Sequence, residues 1–304
     1  MPLLTVVVGA LLTVRTEHFL SWGNLVNVLT EMSTLALLAF GATLVMVGGA
    51  FDLSIGSQLA LHGVVAAIVM AATGSIACGV LAALVSGLVF GLANGHMVTH
   101  LALNPLIATL ASMLFCRGAA LAITGGAPVT GLPNGIDGFG ANGILGLPWP
   151  VWLMAGGFVV AAYLLHATPF GLQVKSTGGN REAARLAGVP VTRITIATFA
   201  FSGVFAAVAG IATTLRLQSG QPTAGELSEL FALAAVVVGG TSIYGGIGSL
   251  WGTLAGVTLL AIIDNGLTLL SVSSAYEMMI VGLLLVLAAS SQGMWRRKID
   301  ASDR

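Results

Sequence analysis

The sequence has 304 residues, of which 57% are hydrophobic and 7% charged, against about 25% charged in an average soluble domain. Eleven basic and eleven acidic side chains cannot cover a water-facing surface of this size, so a water-soluble protein is excluded, and apolar runs near twenty residues match the thickness of a bilayer. Zero net charge with only two lysines excludes the basic face of a nucleic-acid-binding protein.

Cys78 and Cys116 sit in different apolar runs, offer neither a disulfide framework nor a CxxC pair, and read as small core residues. Glycine is abundant at 41 residues, which suits close approach of membrane helices. The runs Leu35 to Gly49 and Val257 to Ile263 do not alternate in polarity as barrel strands do. The expectation is an all-α polytopic membrane helical bundle of about ten transmembrane helices, with residues 1–304 forming a single transmembrane domain.

In chain order, the apolar run from Pro2 to Val14 is too short to cross alone and reads as a first helix that is clipped or begins upstream. Spans follow at about 30–50, 57–73, 76–96 and 105–124. Residues 125–148 carry Pro128, Pro133, Asn134, Gly135, Asp137 and Pro148, too polar and too rich in turn formers to span, and so form an extracytoplasmic loop. Five more spans are expected at about 150–166, 194–215, 228–243, 250–271 and 275–291.

The positive-inside bias sets the direction. Lys175, Arg181, Arg185 and Arg193 share the loop at about 167–193, and Arg296, Arg297, Lys298 and Arg304 form the tail; ten spans put both on one side, the cytoplasmic one. Both termini are then cytoplasmic. Arg15 and Arg216, with Glu17, Asp137, Glu226 and Glu229, fall outside or at the outer boundary, and Arg117 lies within a span. Val47-Gly48-Gly49 with Ile55-Gly56-Ser57 is echoed by Val238-Gly239-Gly240 with Ile247-Gly248-Ser249, each pair straddling an expected cytoplasmic hairpin. Such an echo fits the two halves of a transporter or the recurrence of glycine at tight helix–helix turns.

The cytoplasmic loop contains one short helix signal. Asn180 is a good N-cap, Glu182 suits the positive first turn, Gly188 can take a left-handed C-terminal position, and Pro190 stops continuation. Ala183, Leu186 and Ala187 share one face, and Arg181 and Arg185 another. So short a helix is unstable alone and must dock, either in a groove of a partner or against the underside of its own bundle.

Here the residues carry a resemblance. GGNREAARLAGVPVTRI in this loop, LAAVVVGGTSIYGGIGSLWGTLAG, FDLSIGSQLAL and QPTAGELSEL, in this chain, together resemble the permease subunit of the ribose/xylose/arabinose type of ABC sugar importer, from about Phe19 to Ala288. The resemblance implies an ABC importer permease fold and a coupling helix that fits a cleft of an ABC ATPase subunit. It would comprise Gly179, Asn180, Arg181, Glu182, Ala183, Ala184, Arg185, Leu186 and Gly188. It further implies a second permease copy, as a homodimer or heterodimer with the path between copies, and an extracytoplasmic sugar-binding protein docked on the outer loops at 125–148 and 216–228. ATP would be bound by the partner subunit, with no cofactor in this chain, in a bacterial cytoplasmic membrane. Three departures stand out: Gly49-Ala50-Phe51-Asp52-Leu53-Ser54 where the family has Gly-Gly-Ile-Asp-Leu-Ser, a shorter N-terminus, and Asp264 where a neutral residue is common.

Polar residues at or inside the spans are the remaining candidates for function. Asp52 or Ser54 can cap the start of the third span, with a gating or subunit-contact role as the alternative. A basic group at the centre of a membrane helix costs about 2.5–3.5 kcal/mol on insertion scales, so Arg117 needs a partner; Asp264 and Glu277 lie at similar depth, and direct sugar contact is the other option. His96 and His100 have i, i+4 spacing but no carboxylate or cysteine beside them in sequence, so no metal site is expected, and His62 and His166 read as packing or interface residues. Trp149, Trp152, Trp251 and Trp295 fit an aromatic belt. No GxxxxGK loop precedes Lys175 or Lys298, and no GxSxG or HExxH motif occurs, so no catalytic residue is expected in this chain. The competing reading is an ATP-independent secondary transporter or channel for a small polar solute, with Asp264 as its ion-coupling carboxylate; a membrane-embedded enzyme is disfavoured.

Overall fold

The computed structural model describes the backbone of residues 2–136, 138–140 and 143–302, and the side chains of these except residues 2, 274 and 291–302. Asp137, the basic tail residues Arg296, Arg297, Lys298 and Arg304, and Trp295 therefore lie outside the described side chains. The elements are α1 (Pro2–Arg15), α2 (Trp22–Val47), α3 (Ile55–Thr73), α4 (Ile76–Thr99), α5 (Pro105–Thr124), a small antiparallel hairpin of β1 (Gly143–Ile144) and β2 (Leu147–Pro148), α6 (Trp149–His166), α7 (Pro169–Gly179), α8 (Arg181–Leu186), α9 (Val191–Leu217), α10 (Ser228–Val238), α11 (Leu250–Leu269) and α12 (Ser274–Ser302). The protein is an all-α polytopic bundle. Among the described residues seven helices, α2 to α6, α9 and α11, are long and apolar enough to span, and three shorter apolar helices lie in α1, α10 and α12. Each of the ten expected spans thus falls on a helix, and the count of ten is approximate.

The core is built on α2 and α9. Their 26 and 27 residues are mostly buried, and the fully buried Phe40 packs edge-on to Phe158 of α6 and Phe205 of α9. Glycine sets the closest crossing. Gly87, Gly91 and Gly95, one turn apart on α4, face Gly203, Phe199 and Ile196 of α9 so closely that an added Cβ at Gly95 would sit 2.7 Å from the Ile196 Cα. This is small-residue packing of membrane helices. Polar side chains tie other pairs: Thr43 of α2 to Thr253 of α11 at 2.7 Å, and Asn24 to Asn265 by reciprocal amide bonds of 2.9 and 2.8 Å.

The register of α3 on α4 gives a depth scale. Ser86 meets His62 at 2.8 Å and Asn94 donates to Ser54 at 2.9 Å, so the antiparallel pair places Gly56 level with Leu92 and Val64 level with Leu84. At 1.5 Å per residue, Gly56 lies about 24 Å below the Ile76 end of α4 and about 10 Å from its Thr99 end.

The fold adds detail to two expected loops and corrects one core assignment. The loop at 125–148 holds the β1–β2 hairpin, and Ile136 is buried against Leu215 and Met70. Residues 167–193 contain α7 as well as α8, started by Thr168, whose hydroxyl accepts from the Gly171 N–H, and by Pro169. Cys116 is buried but Cys78 is exposed, so only one of the two is a core residue.

Candidate functional site: two helix breaks inside the bundle and an exposed short helix

Two segments leave helical geometry inside the bundle. The first follows α2. Gly48 caps that helix, Gly49 takes φ +81°, and residues 50–54 turn back into the protein before α3 begins. Asp52 is not at a cytoplasmic hairpin surface: it is fully buried, and its carboxylate accepts from the Ser54 N–H at 3.0 Å, from the Ser54 hydroxyl, and from the Ser202 hydroxyl of α9 at 2.8 Å.

Asp52 therefore organises the start of α3. Ser54 does not cap through its side chain; its oxygen donates to Asp52 and accepts from Gln58 Nε2 at 2.6 Å and Asn94 Nδ2 at 2.9 Å. The network continues from Asn94 to Ser112 of α5, and from Gln58 through His62 to Ser86. Buried polar groups need this degree of mutual satisfaction. Sequence reasoning missed Gln58, Asn94, Ser112 and Ser202, although i, i+4, i+8 spacing of Ser54, Gln58 and His62 on one apolar helix was the available signal.

The second break follows α9. Gln218 takes a left-handed φ of +51°, and Gly220 pairs with Val129 through two 2.9 Å backbone bonds. The chain does not remain an outer loop, as the 216–228 reading expected. Gly220 lies against Val64 of α3, while Gly225, at φ +65°, lies against Gly56, with a built Cβ 2.7 Å from the Gly56 carbonyl oxygen. Between them the chain descends about 12 Å along α3, within the roughly 17 Å reach of five residues. Residues 220–228 are re-entrant, and α10 starts inside the bundle, which is why it has only 11 residues.

Arg117 serves this segment. Its guanidinium donates to the Pro222 carbonyl at 2.7 Å and the Ala224 carbonyl at 2.9 Å. The expected pairing with Asp264 or Glu277 is not formed; those two carboxyls face one another between α11 and α12. A guanidinium with five donors suits carbonyls that non-helical backbone leaves open at membrane depth. Glu229, in the first turn of α10, is buried at 7% exposure, and its Oε2 rests against Gly56 with no hydrogen-bond partner.

On the opposite side of the break lies α8. Asn180 caps it, with its oxygen accepting from the Ala183 N–H at 2.9 Å, and Gly188 takes φ +83°. Both features match the sequence reading. Arg185 pairs with Glu182 at 2.7 Å on the exposed surface. Ala184 is the residue turned to the protein, and Ala183, Leu186 and Ala187 are exposed, Leu186 at 80%. The apolar stripe is thus unused by the chain itself.

What precedes α8 is rigidly seated. Gly178 packs on the Val47 carbonyl at the end of α2, the Gly246 N–H donates to that same carbonyl at 2.8 Å, and a Cβ on Gly245 would lie 2.7 Å from the Gly178 oxygen and 2.8 Å from the Gly49 Cα. Gly49, Gly245 and Gly246 all have positive φ, so this junction of three segments requires glycine on both conformational and steric grounds. Val47 and Gly49 of the first member of the glycine echo take part in it, and Gly248 of the second member packs on the Val47 side chain beside it.

His96 and His100 stack at 4.4 Å at the end of α4, and among the described residues no cluster of His, Cys, Asp or Glu could hold a metal ion. Trp149 and Trp251 are exposed at 42% and 68%, and the Trp152 indole donates to the Ile144 carbonyl at 3.2 Å.

Comparison with known proteins adds the family. Residues 24–289 match the model of the branched-chain amino acid transport system / permease component family. The ribose import permease protein RbsC of Escherichia coli K12 is 42% identical over 283 residues, 92% of this chain and 88% of that one. The protein of the same name from Bacillus subtilis 168 is 41% identical over 286 residues, 91% and 87% of the two chains. The L-arabinose transport system permease protein AraH of Escherichia coli K12 is 38% identical over 271 residues, 89% and 83%. No solved structure matches.

Proposed function

The chain belongs to the branched-chain amino acid transport system / permease component family, and from that premise we propose that it is the membrane-spanning permease of an ATP-binding-cassette importer for a monosaccharide. The observation that carries this reading is identity near 40% to ribose and arabinose permeases over about nine-tenths of the chain. The whole chain acts as one permease domain in a bacterial inner membrane, paired with a second permease copy. A sugar-binding protein delivers the solute to the outer face formed by residues 125–148 and the adjoining Gln218–Gly220 turn. An ABC ATPase subunit beneath binds and hydrolyses ATP, and this chain holds no nucleotide. The α7–α8 loop and both termini face the cytoplasm.

The mechanism follows from how α8 is attached. Its exposed stripe of Ala183, Leu186 and Ala187, flanked by Arg181 and Arg185, is the surface offered to the ATPase. Closure of two ATPases on ATP draws the two α8 helices together. Asn180 joins α8 directly to Gly179 and Gly178, so the displacement reaches the end of α2 and the α10–α11 turn through backbone contacts with no intervening flexible side chain. Interfaces this tightly packed move as bodies. The α2–α3 break, level with the last turns of α4, and the start of α10 then shift together inside the bundle, opening the path to one side or the other.

The test is uptake of radiolabelled ribose and arabinose into proteoliposomes that contain the permease with its ATPase and binding protein. Uptake that needs ATP and persists when proton and sodium gradients are collapsed is the expected result. Uptake that follows the gradient and ignores ATP contradicts the proposal.

A further inference from the structure

We infer that the re-entrant segment from Gln221 to Ser228 forms part of the wall of the sugar's path, with Thr223 and Glu226 as the side chains that meet the solute inside the bundle. The inference rests on the importer reading and adds to it the residues that touch the cargo.

Three observations on this chain support it. The first is depth. The segment runs from the level of Val64 to that of Gly56 on α3, about 12 to 24 Å below the Ile76 end of an α4 that is about 36 Å long. Non-helical backbone at that depth is tolerated only where protein buries it or a water-filled cavity runs beside it.

The second observation is that one side of the segment is sealed and the other is open. Pro222 is buried, the Pro222 and Ala224 carbonyls are both taken by Arg117, and Gly225 lies on Gly56. Thr223, Glu226 and Leu230 point the other way and are exposed. An exposed carboxylate deep in a bundle is not facing hydrocarbon, which carboxylates avoid in favour of polar cavities.

The third is chemistry. A carboxylate is an acceptor with several lone pairs, and a threonine hydroxyl both donates and accepts. That pair complements the vicinal hydroxyls of a monosaccharide and offers nothing to an apolar solute. Glu229 adds a second carboxylate one turn into α10, its Oε2 buried and without a hydrogen-bond donor against Gly56. Discontinuous helices that meet at the midplane are where transporters place their solutes.

The experiment uses the assembled importer in liposomes, with Cys78→Ala and Cys116→Ala as background. Thr223→Cys, Glu226→Cys, Thr130→Cys on the outer loop and Leu88→Cys on the exposed apolar face of α4 are each treated with a charged, membrane-impermeant methanethiosulfonate. Modification at 223, 226 and 130 but not at 88 is expected. In parallel, Glu226→Ala should lower the ribose taken up per ATP hydrolysed by about tenfold, the scale of a lost hydrogen bond to a charged group. No modification at 223 and 226 in protein that reacts at 130 overturns the inference, as does an oxidative cross-link between two Glu226→Cys copies in place of modification, which would make this face a seal between permeases. An unchanged ratio of uptake to hydrolysis overturns the sugar contact. If uptake proves independent of ATP, the importer reading fails separately, and the modification pattern still decides whether the segment lines an aqueous path.

Discussion

Arg117 shows how a single side chain sets the local design. Its charge is placed to satisfy two backbone carbonyls that the re-entrant segment cannot satisfy itself. Arg117→Leu strands both, and each orphaned buried acceptor costs about 1–3 kcal/mol; the midpoint of thermal unfolding in detergent should fall, and Arg117→Lys should recover part of the loss. Exchanging the charges of Arg117 and Asp264 should give no rescue, because the two do not pair; full rescue would overturn the assignment. Asp52 is the parallel case. Asp52→Asn places an amide NH₂ where one of the hydroxyls of Ser54 and Ser202 now donates, and the same unfolding measurement should register about 1–3 kcal/mol. The need of Arg117 for a partner was legible from its place in an apolar run. The identity of that partner was not, because backbone carbonyls carry no residue label and the fold alone decides which of them lack helical bonds.

Among the elements, α8 was the most legible, since its cap, first-turn acid and terminal glycine are all local signals. Asn180→Ala should loosen it by about 1 kcal/mol, seen as faster amide exchange in residues 181–187. Leu186→Asp removes nothing the chain itself uses, so stability should stay within about 0.5 kcal/mol while capture of the ATPase subunit falls; an equal loss of stability would mean that Leu186 packs within the bundle. Gly178→Ala should be far more damaging, because a methyl group there meets the Val47 carbonyl and the Gly246 amide. The re-entrant segment was misread for a physical reason. Gln-Pro-Thr-Ala-Gly-Glu is the composition of a surface turn, and composition reports the lack of helix, whereas depth depends on which neighbours cover the backbone. The short α10 was the missed clue: a span that supplies only 11 helical residues must be completed by something else.

At the scale of the whole molecule, the two breaks and the glycine junction form one continuous line of contacts, along which the proposed coupling would run. From α8 it passes through Gly178 to the end of α2 and the α10–α11 turn, and from there to the Asp52 turn and the start of α10, where the proposed solute contacts lie. The class of the bundle and the spans were legible because hydropathy and length are summed over many residues. The line itself was not, since it joins glycines at 49, 178 and 245 that are distant in sequence and silent in any pattern of hydropathy.

The central claim is that this chain is driven from below through α8. The most direct measurement is a mild-detergent pull-down of the tagged protein from its native membrane, beside an Arg181→Glu/Arg185→Glu variant, with mass spectrometry of what is retained. The account predicts an ABC ATPase subunit with the native chain and its loss from a variant that remains folded. Equal retention of the ATPase by both would contradict the role of α8, and a native chain that retains no ATPase yet moves sugar without ATP would contradict the whole.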